Sequence, residues 1–343
     1  MITIRRDIPS FALLSQLEEL TIFCNKVVTF ELSQAGQTVF SEKYIPDGTS
    51  LVRIFDFCAL VEPSLREEPL LEFQYRISAD GETPVTKSFV VLMARVRVPI
   101  EAISFCNNYF LSCLGGQPKQ TSPGRRELLS LTSGAVSGSG TIPVSVECVF
   151  VDEKNVPTTE TRQLDAVSAV GVHTIDVSPT RFLKEGALLV RYTVIAGKRR
   201  QVYRVGRQEE EPVGVSFLNA FGCRETFYFR GLIKLTPEIE RSMAYMGGQY
   251  KTYRVEEQLQ HELNTGFLPS SMYHLADDMS RSVDTRLITP SGEVDVAIVD
   301  SDTERTTDNK LFSFTVTYIR SSRQQAPFLF PYIFDNTFDK SFN

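Results

Sequence analysis

Leu71-Glu72-Phe73-Gln74-Tyr75-Arg76-Ile77 is the stretch whose reading decides the fold class. Apolar side chains alternate with charged or polar ones at every position. On an extended backbone, successive side chains point to opposite faces. The stretch therefore buries Leu71, Phe73, Tyr75 and Ile77 on one side and offers Glu72, Gln74 and Arg76 to water on the other. A helix of the same residues would scatter its apolar side chains around the barrel. Asp80-Gly81 then closes the strand with a turn pair.

The same grammar extends outward in both directions. Val27-Val28-Thr29-Phe30-Glu31-Leu32 runs into Gln34-Ala35-Gly36-Gln37 and Thr38-Val39-Phe40, a strand, turn and strand. Asp47-Gly48 precedes Leu51-Val52-Arg53-Ile54-Phe55, and Ser88-Phe89-Val90-Val91-Leu92-Met93 reads as a core strand. Short strands at regular spacing, separated by turn signals, predict a β-sandwich. A second copy of the pattern follows. Val144-Ser145-Val146-Glu147 parallels Val28-Thr29-Phe30-Glu31, and Val172-His173-Thr174-Ile175-Asp176 parallels Val52-Arg53-Ile54-Phe55-Asp56. Leu189-Val190-Arg191-Tyr192-Thr193-Val194 parallels residues 72–77, and Ala196-Gly197 answers Asp80-Gly81. Tandem related β-domains account for this, as does the plain fact that any two sandwiches alternate.

Residues 102–111 suit either a short helix or a strand. Ser133-Gly134-Ala135-Val136-Ser137-Gly138-Ser139-Gly140 is either a linker or a long loop. From Gly214 the texture changes. Glu225-Thr226-Phe227-Tyr228-Phe229-Arg230 is an aromatic strand, residues 251–263 continue as a strand, and residues 270–280 predict a helix. Residues 294–299 and 311–319 read as strands, with Asp300-Ser301-Asp302-Thr303-Glu304 opening a polar loop between them. The expected division is 1–98, an N-terminal sandwich; 99–212, a second sandwich carrying the Gly/Ser-rich loop 133–140; and 213–343, a β-rich domain with one short helix and an aromatic tail, 328–343. The fold class is mainly β, with tandem Ig-like sandwiches.

The chain has 343 residues, with 36 Lys plus Arg against 42 Asp plus Glu, for a net charge of −6. That mild acidity argues against general nucleic-acid binding, which calls for a basic face. Hydrophobic residues at 42% are ample for packed cores. Nothing approaches the roughly 20 apolar residues of a membrane-spanning helix, and the N-terminus lacks the apolar core of a signal peptide. The sequence therefore predicts folding in a cytoplasm, with no membrane partner. The cysteines, 24, 58, 106, 113, 148 and 223, are widely and irregularly spaced, which predicts free thiols rather than staples.

No catalytic or metal-binding residue emerges, and no cofactor is expected. His261-Glu262 begins like a zinc-protease motif but continues Leu263-Asn264-Thr265 without the second His. His261, His274, Asp277 and Asp278 form a weak metal constellation at best. Asp300-x-Asp302-x-Glu304 starts like a calcium loop, but Arg305 and Leu311 stand where Gly and Glu are required. Lys198-Arg199-Arg200 reads as a turn kept soluble by charge, with contact to an acidic partner as its functional alternative.

Three segments carry a resemblance. They are Phe40-Ser41-Glu42-Lys43-Tyr44-Ile45-Pro46-Asp47-Gly48 with Val52-Arg53-Ile54, then residues 217–229, then Ile333-Phe334-Asp335-Asn336-Thr337-Phe338-Asp339-Lys340-Ser341-Phe342. Together they resemble the tail-associated virion structural proteins of phages and prophages of Bacteroides-like bacteria. The resemblance implies a part in a virion tail, with other tail subunits as partners, and it supplies no active-site residue. Beside it stands the chemistry of the residues themselves. Phe334, Phe338 and Phe342 recur every four residues and share one side of a helix or of an extended arm. Such a tail docks on its own domain or on a neighbouring subunit. Asn219 and Phe221 lie in a tight turn before the aromatic strand. The expected assembly residues are therefore Phe334, Phe338, Phe342, Asn219 and Phe221, in a homo-oligomer. The alternative function is a glycan- or receptor-binding module, using some of the 12 Tyr as stacking surfaces.

Overall fold

The computed structural model describes residues 1–207, 213–303 and 311–320. It is mainly β, with an N-terminal sandwich, a second sandwich and a large C-terminal sheet. In the first sandwich, Thr3–Arg6, Leu20–Phe23 and Leu51–Ile54 form one antiparallel layer. The other layer orders Phe11–Leu13, Val85–Leu92, Leu70–Ala79, Val28–Gln34 and Gln37–Tyr44, with only its first pair parallel. The alternation of residues 71–77 is realised directly: Phe73, Tyr75 and Ile77 are buried, while Glu72, Gln74 and Arg76 are exposed. Phe73 stacks on Phe89 with ring centroids 5.8 Å apart, and Phe30 meets Phe57 edge-on at 5.6 Å.

Phe57 belongs to a helix, α1 (Phe57–Glu67), that the sequence pattern did not announce. Phe57, Val61 and Leu65 are buried at a four-residue spacing. Pro63 lies inside the helix and removes a backbone donor, which is why the stretch reads poorly as helical. Asp56, at φ 55°, turns the chain into it.

The second sandwich repeats the path of the first. Leu128–Thr132 pairs with Val172–Asp176 in one layer. The other layer orders Pro157–Ser168, Thr141–Asp152, Ala187–Ala196, Arg199–Val205 and Lys119–Thr121, again with only the last pair parallel. The segments matched in sequence occupy equivalent places: Val28–Gln34 with Thr141–Asp152, Leu51–Ile54 with Val172–Asp176, and Leu70–Ala79 with Ala187–Ala196. Where the first copy inserts α1, the second has only the 3-10 turn Pro179–Phe182. Residues 133–140 join two strands of this sandwich, so they form a loop and not a linker. The loop is pinned where Gly171 N–H donates to Ala135 O and Ser133 Oγ donates to Ala169 O. Residues 102–108 resolve as helix α2 (Ala102–Asn108).

Arg199 corrects the reading of the basic turn. Its guanidinium is buried and donates to the carbonyls of Cys106, Thr132 and Ala196 at 2.7, 2.7 and 3.2 Å. It ties α2 to the second sandwich and offers nothing to an acidic partner. All six cysteines are free thiols.

The C-terminal sheet is antiparallel throughout and orders Arg224–Phe229, Val213–Leu218, Thr285–Thr289, Gly292–Thr303, Leu311–Arg320, Gln249–Pro269 and Ile233–Met246. Strand Gly292–Thr303 runs through Asp300 and Asp302, which pair with Thr317 and Thr315, so this acidic run is not the start of a loop. Helix α3 (Tyr273–Ser280) follows the 3-10 turn Ser270–Met272, and packs Leu275, Ala276 and Met279 into the core with Phe227 and Phe314.

Gly231 enters the last strand where no side chain fits. A Cβ there would stand 2.5 Å from Asn264 Oδ1, 2.8 Å from the Asn264 carbonyl and 2.8 Å from Gly266 N. Two of these atoms are backbone, so the strands must separate. Gly231→Ala is expected to destabilise this unit by about 1–3 kcal/mol, as overpacking does elsewhere. Urea unfolding followed by tyrosine fluorescence would read it, and an unchanged midpoint would refute it.

Candidate functional site

The segment after strand Val213–Leu218 builds the junction of the three units. Asn219 Oδ1 accepts from the N–H groups of Phe221 and Cys223 at 3.0 and 3.1 Å, and Gly222 N–H donates to Asn219 O. Gly222 takes φ 70°, a conformation that glycine adopts without strain. The turn thrusts Phe221 toward α2, where it stacks on Phe105 at 5.3 Å. Arg95 N–H, just past the first sandwich, donates to Ala220 O at 2.8 Å. Phe221, Cys223, Leu13, Leu92, Phe105 and Leu111 share one apolar cluster, so side chains from all three units are packed together.

Asn219 and Phe221 were expected at a subunit interface. They are 3% and 1% exposed, and they pack against Phe105 and Leu111 of the same chain. They join the units of one chain instead. Phe334, Phe338 and Phe342 lie outside the described residues.

A buried polar knot lies beneath the turn. Asn219 Nδ2 donates to Leu111 O at 2.8 Å and to Glu225 Oε2 at 2.9 Å, while Ser112 Oγ donates to Glu225 Oε1 at 2.8 Å. Burial pushes the Glu225 carboxyl up to about 7, against the opposing pull of Lys119 and of these two hydrogen bonds. Lys119 Nζ sits 2.7 Å from Glu127 Oε2 and donates to Thr226 O at 2.6 Å, bridging the second sandwich to the C-terminal sheet. Asp278 of α3 accepts from Ala220 N–H and from Cys113 Sγ, both at 3.1 Å, and burial raises its carboxyl above the usual range. The sequence flagged Asp278 within the weak metal constellation of His261, His274 and Asp277. It passed over Glu225, although one carboxylate inside an aromatic strand was a signal.

The metal constellation separates. His261 stacks on Tyr318 at 4.8 Å in the C-terminal sheet, whereas His274, Asp277 and Asp278 lie on α3. Among the described residues, no three His, Cys, Asp or Glu side chains gather as a metal site.

The other distinctive surface is the hairpin formed by Ile233–Met246 and Gln249–Pro269. Only residues 261–269 of its second strand pair with Leu311–Arg320. Among the described residues, from the pair Thr236–Gln260 to the tip at Gly247-Gly248, the two strands pair only with each other. At ~3.4 Å per residue, that is an arm about 35 Å long. Residues directly opposed across an antiparallel pair share a face. One face therefore carries Ile233, Leu235, Ile239, Met243 and Tyr245, with Leu263, Leu259, Val255 and Tyr250 on the partner strand, and Pro237, Arg241, His261 and Thr252 lie among them. The other carries Lys234, Thr236, Glu238, Glu240 and Ser242, with Glu262, Gln260, Gln258 and Arg254. A bulge between Ser242 and Met243 shifts the pairing by one residue and keeps Tyr250 beside Tyr245 on the apolar side. Tyr245 and Tyr250 are 66% and 76% exposed, while at the root Leu263 is buried among the core residues. The apolar face is thus the domain core continued into solvent.

No protein-family model and no curated protein matches this chain. Solved structures match it at low scores. A component of the virion of a native gene transfer agent particle is 13% identical, with 34% of this chain and 95% of that one covered, at a TM-score of 0.23. The calcium-binding domain CBD12 of CALX1.1 is 14% identical, with 57% and 79% covered, at 0.20. Dpr2 Ig1-Ig2 in complex with DIP-Theta Ig1-Ig3 is 9% identical, with 95% and 92% covered, at 0.20. At these scores the likenesses carry no argument about what this chain does.

Proposed function

We propose that this chain is a non-enzymatic structural subunit of a phage or prophage tail that works by assembly with other virion subunits. The observation that carries the assembly reading is the amphipathic arm. An isolated two-stranded ribbon is marginally stable in water. This one leaves Ile233, Leu235, Ile239, Met243, Tyr245, Tyr250 and Val255 exposed along one face. A large exposed face dominated by apolar side chains, here interrupted by Arg241, marks a protein contact. The tail assignment rests on the resemblance of residues 40–48 with 52–54, 217–229 and 333–342. Tail subunits work by mutual contact, which the arm offers.

The experiment is light scattering across a concentration series, comparing the wild type with Ile239→Glu/Tyr250→Glu. Both positions are solvent-exposed, so circular dichroism of the variant is expected to match the wild type. The wild type should associate as concentration rises, and the variant should remain a monomer. A wild type that stays monomeric alone and with co-expressed tail neighbours would refute the proposal.

A further inference from the structure

The three units enclose a crevice of about 490 Å³. One wall is the segment 95–100, another is α3 with His274, Asp277 and Arg281, and the floor is Phe105, Tyr109 and Phe221. The backbone of the first wall is half used. The carbonyls of Ala94, Val96, Val98 and Ile100 accept from Ser15 N–H, Ser15 Oγ and, for the last two, Gln16 Nε2. Groups two residues apart on an extended chain face the same side. The odd-numbered groups therefore face the other way, as the bond from Arg95 N–H to Ala220 O demonstrates. Arg97 N–H and the Arg95 and Arg97 carbonyls continue on that side, toward the crevice. Among the described residues, nothing pairs with them.

We propose that this crevice takes up an extended peptide as an added strand along residues 95–99, and that the peptide is the aromatic and acidic segment 333–342 of a second copy of this chain. Strand addition uses backbone bonds for affinity and side-chain pockets for choice. Here the backbone slot is Arg97, the pocket floor is aromatic, and the rim carries the exposed cations Arg97 and Arg281, the latter also paired with Asp277 at 2.9 Å. The occupant must then alternate an apolar anchor with a carboxylate, since neighbouring side chains point to opposite sides. Phe334-Asp335 and Phe338-Asp339 have that order. A saturated hairpin edge or a polar loop would supply neither the free backbone nor the anchor. The crevice contains no residue of the arm, so the two contacts stand or fall separately.

The test uses the full chain carrying Phe334→Ser/Phe338→Ser/Phe342→Ser and a fluorescent synthetic peptide of residues 333–342. Fluorescence anisotropy should show saturable binding, weakened about tenfold or more by Arg97→Glu/Arg281→Glu, since like charges then face Asp335 and Asp339. Of two peptides N-methylated at alternate residues, only the one whose blocked N–H groups face residues 95–99 should lose binding. Equal binding of both peptides overturns strand addition, and absence of saturable binding overturns the site. The second copy is tested in the Ile239→Glu/Tyr250→Glu background with the tail intact. Residual association that free peptide dissolves supports it. A chain that is monomeric there, and refuses the peptide that the Phe-to-Ser chain accepts, holds its own tail and overturns the second copy.

Discussion

Lys119→Met is expected to destabilise the protein by about 3–5 kcal/mol, the usual cost of leaving one partner of a buried ion pair uncompensated. Lys119 and Glu127 side chains are 2% and 0% exposed. Without the ammonium, the Glu127 carboxylate retains Thr226 Oγ1–H at 3.2 Å, and its Oε1 has no partner among the described residues. The Thr226 carbonyl loses its donor as well. Because Lys119 and Thr226 belong to different units, the loss falls on the junction of the second sandwich with the C-terminal sheet. The double variant Lys119→Met/Glu127→Leu is expected to recover most of the loss, since apolar groups of similar volume replace a buried pair at little cost. Urea midpoints of the wild type and both variants would measure this. A single variant as stable as the wild type, or a double variant no better than the single, would contradict it.

The second large effect depends on pH. The Glu225 carboxyl is pushed up to about 7, first by burial. Unfolded, it titrates near 4.5. Below that value both states are protonated, and the contribution of this group to stability is complete. Between 4.5 and 7 the folded chain holds a proton that the unfolded chain has released, so stability falls as pH rises. The full span corresponds to on the order of 3 kcal/mol. Asp278, also raised by burial, acts in the same direction. His261 acts against it, because burial lowers its affinity for a proton in the folded state. The comparison that isolates Glu225 is therefore with Glu225→Gln. Its amide can donate to Ser112 Oγ and accept from Asn219 Nδ2, so the knot is kept without the titration. The wild-type urea midpoint should fall relative to that of Glu225→Gln between pH 5 and 8. Parallel pH profiles would refute the assignment.

The reach of the sequence differed from element to element. The alternation at residues 71–77 states its strand and its buried face, because period two has one structural meaning. The match of residues 144–147 and 189–194 to the first copy holds at the level of topology. Helix α1 was obscured by Pro63, and its partner in the second sandwich shrank to a single turn. Strand Ile233–Met246 alternates apolar and polar residues from Ile233 to Glu240, yet it was passed over. Pro237 sits in its middle, and a proline inside a strand signals an edge, which this strand is. Asn219 and Phe221 were read correctly as a turn, but their place at the junction of three units was not legible. A turn is local, whereas its burial depends on α2 and residue 95, more than 100 positions away.

By itself, then, the sequence determined the local conformations: alternating strands, turn pairs, the helix near residue 275 and the free thiols. Those follow from backbone sterics and side-chain periodicity within a few residues. Tertiary structure alone decided which polar groups were buried and which apolar faces stayed open. Arg199, Lys119 and Glu225 look like surface residues in sequence, and they became the ties of a three-unit junction once distant carbonyls and carboxylates closed around them. The arm face of Ile239 and Tyr250 resembles a core strand in pattern, but among the described residues no element covers it. Burial is a property of what arrives from elsewhere in the chain, and no window of sequence contains that.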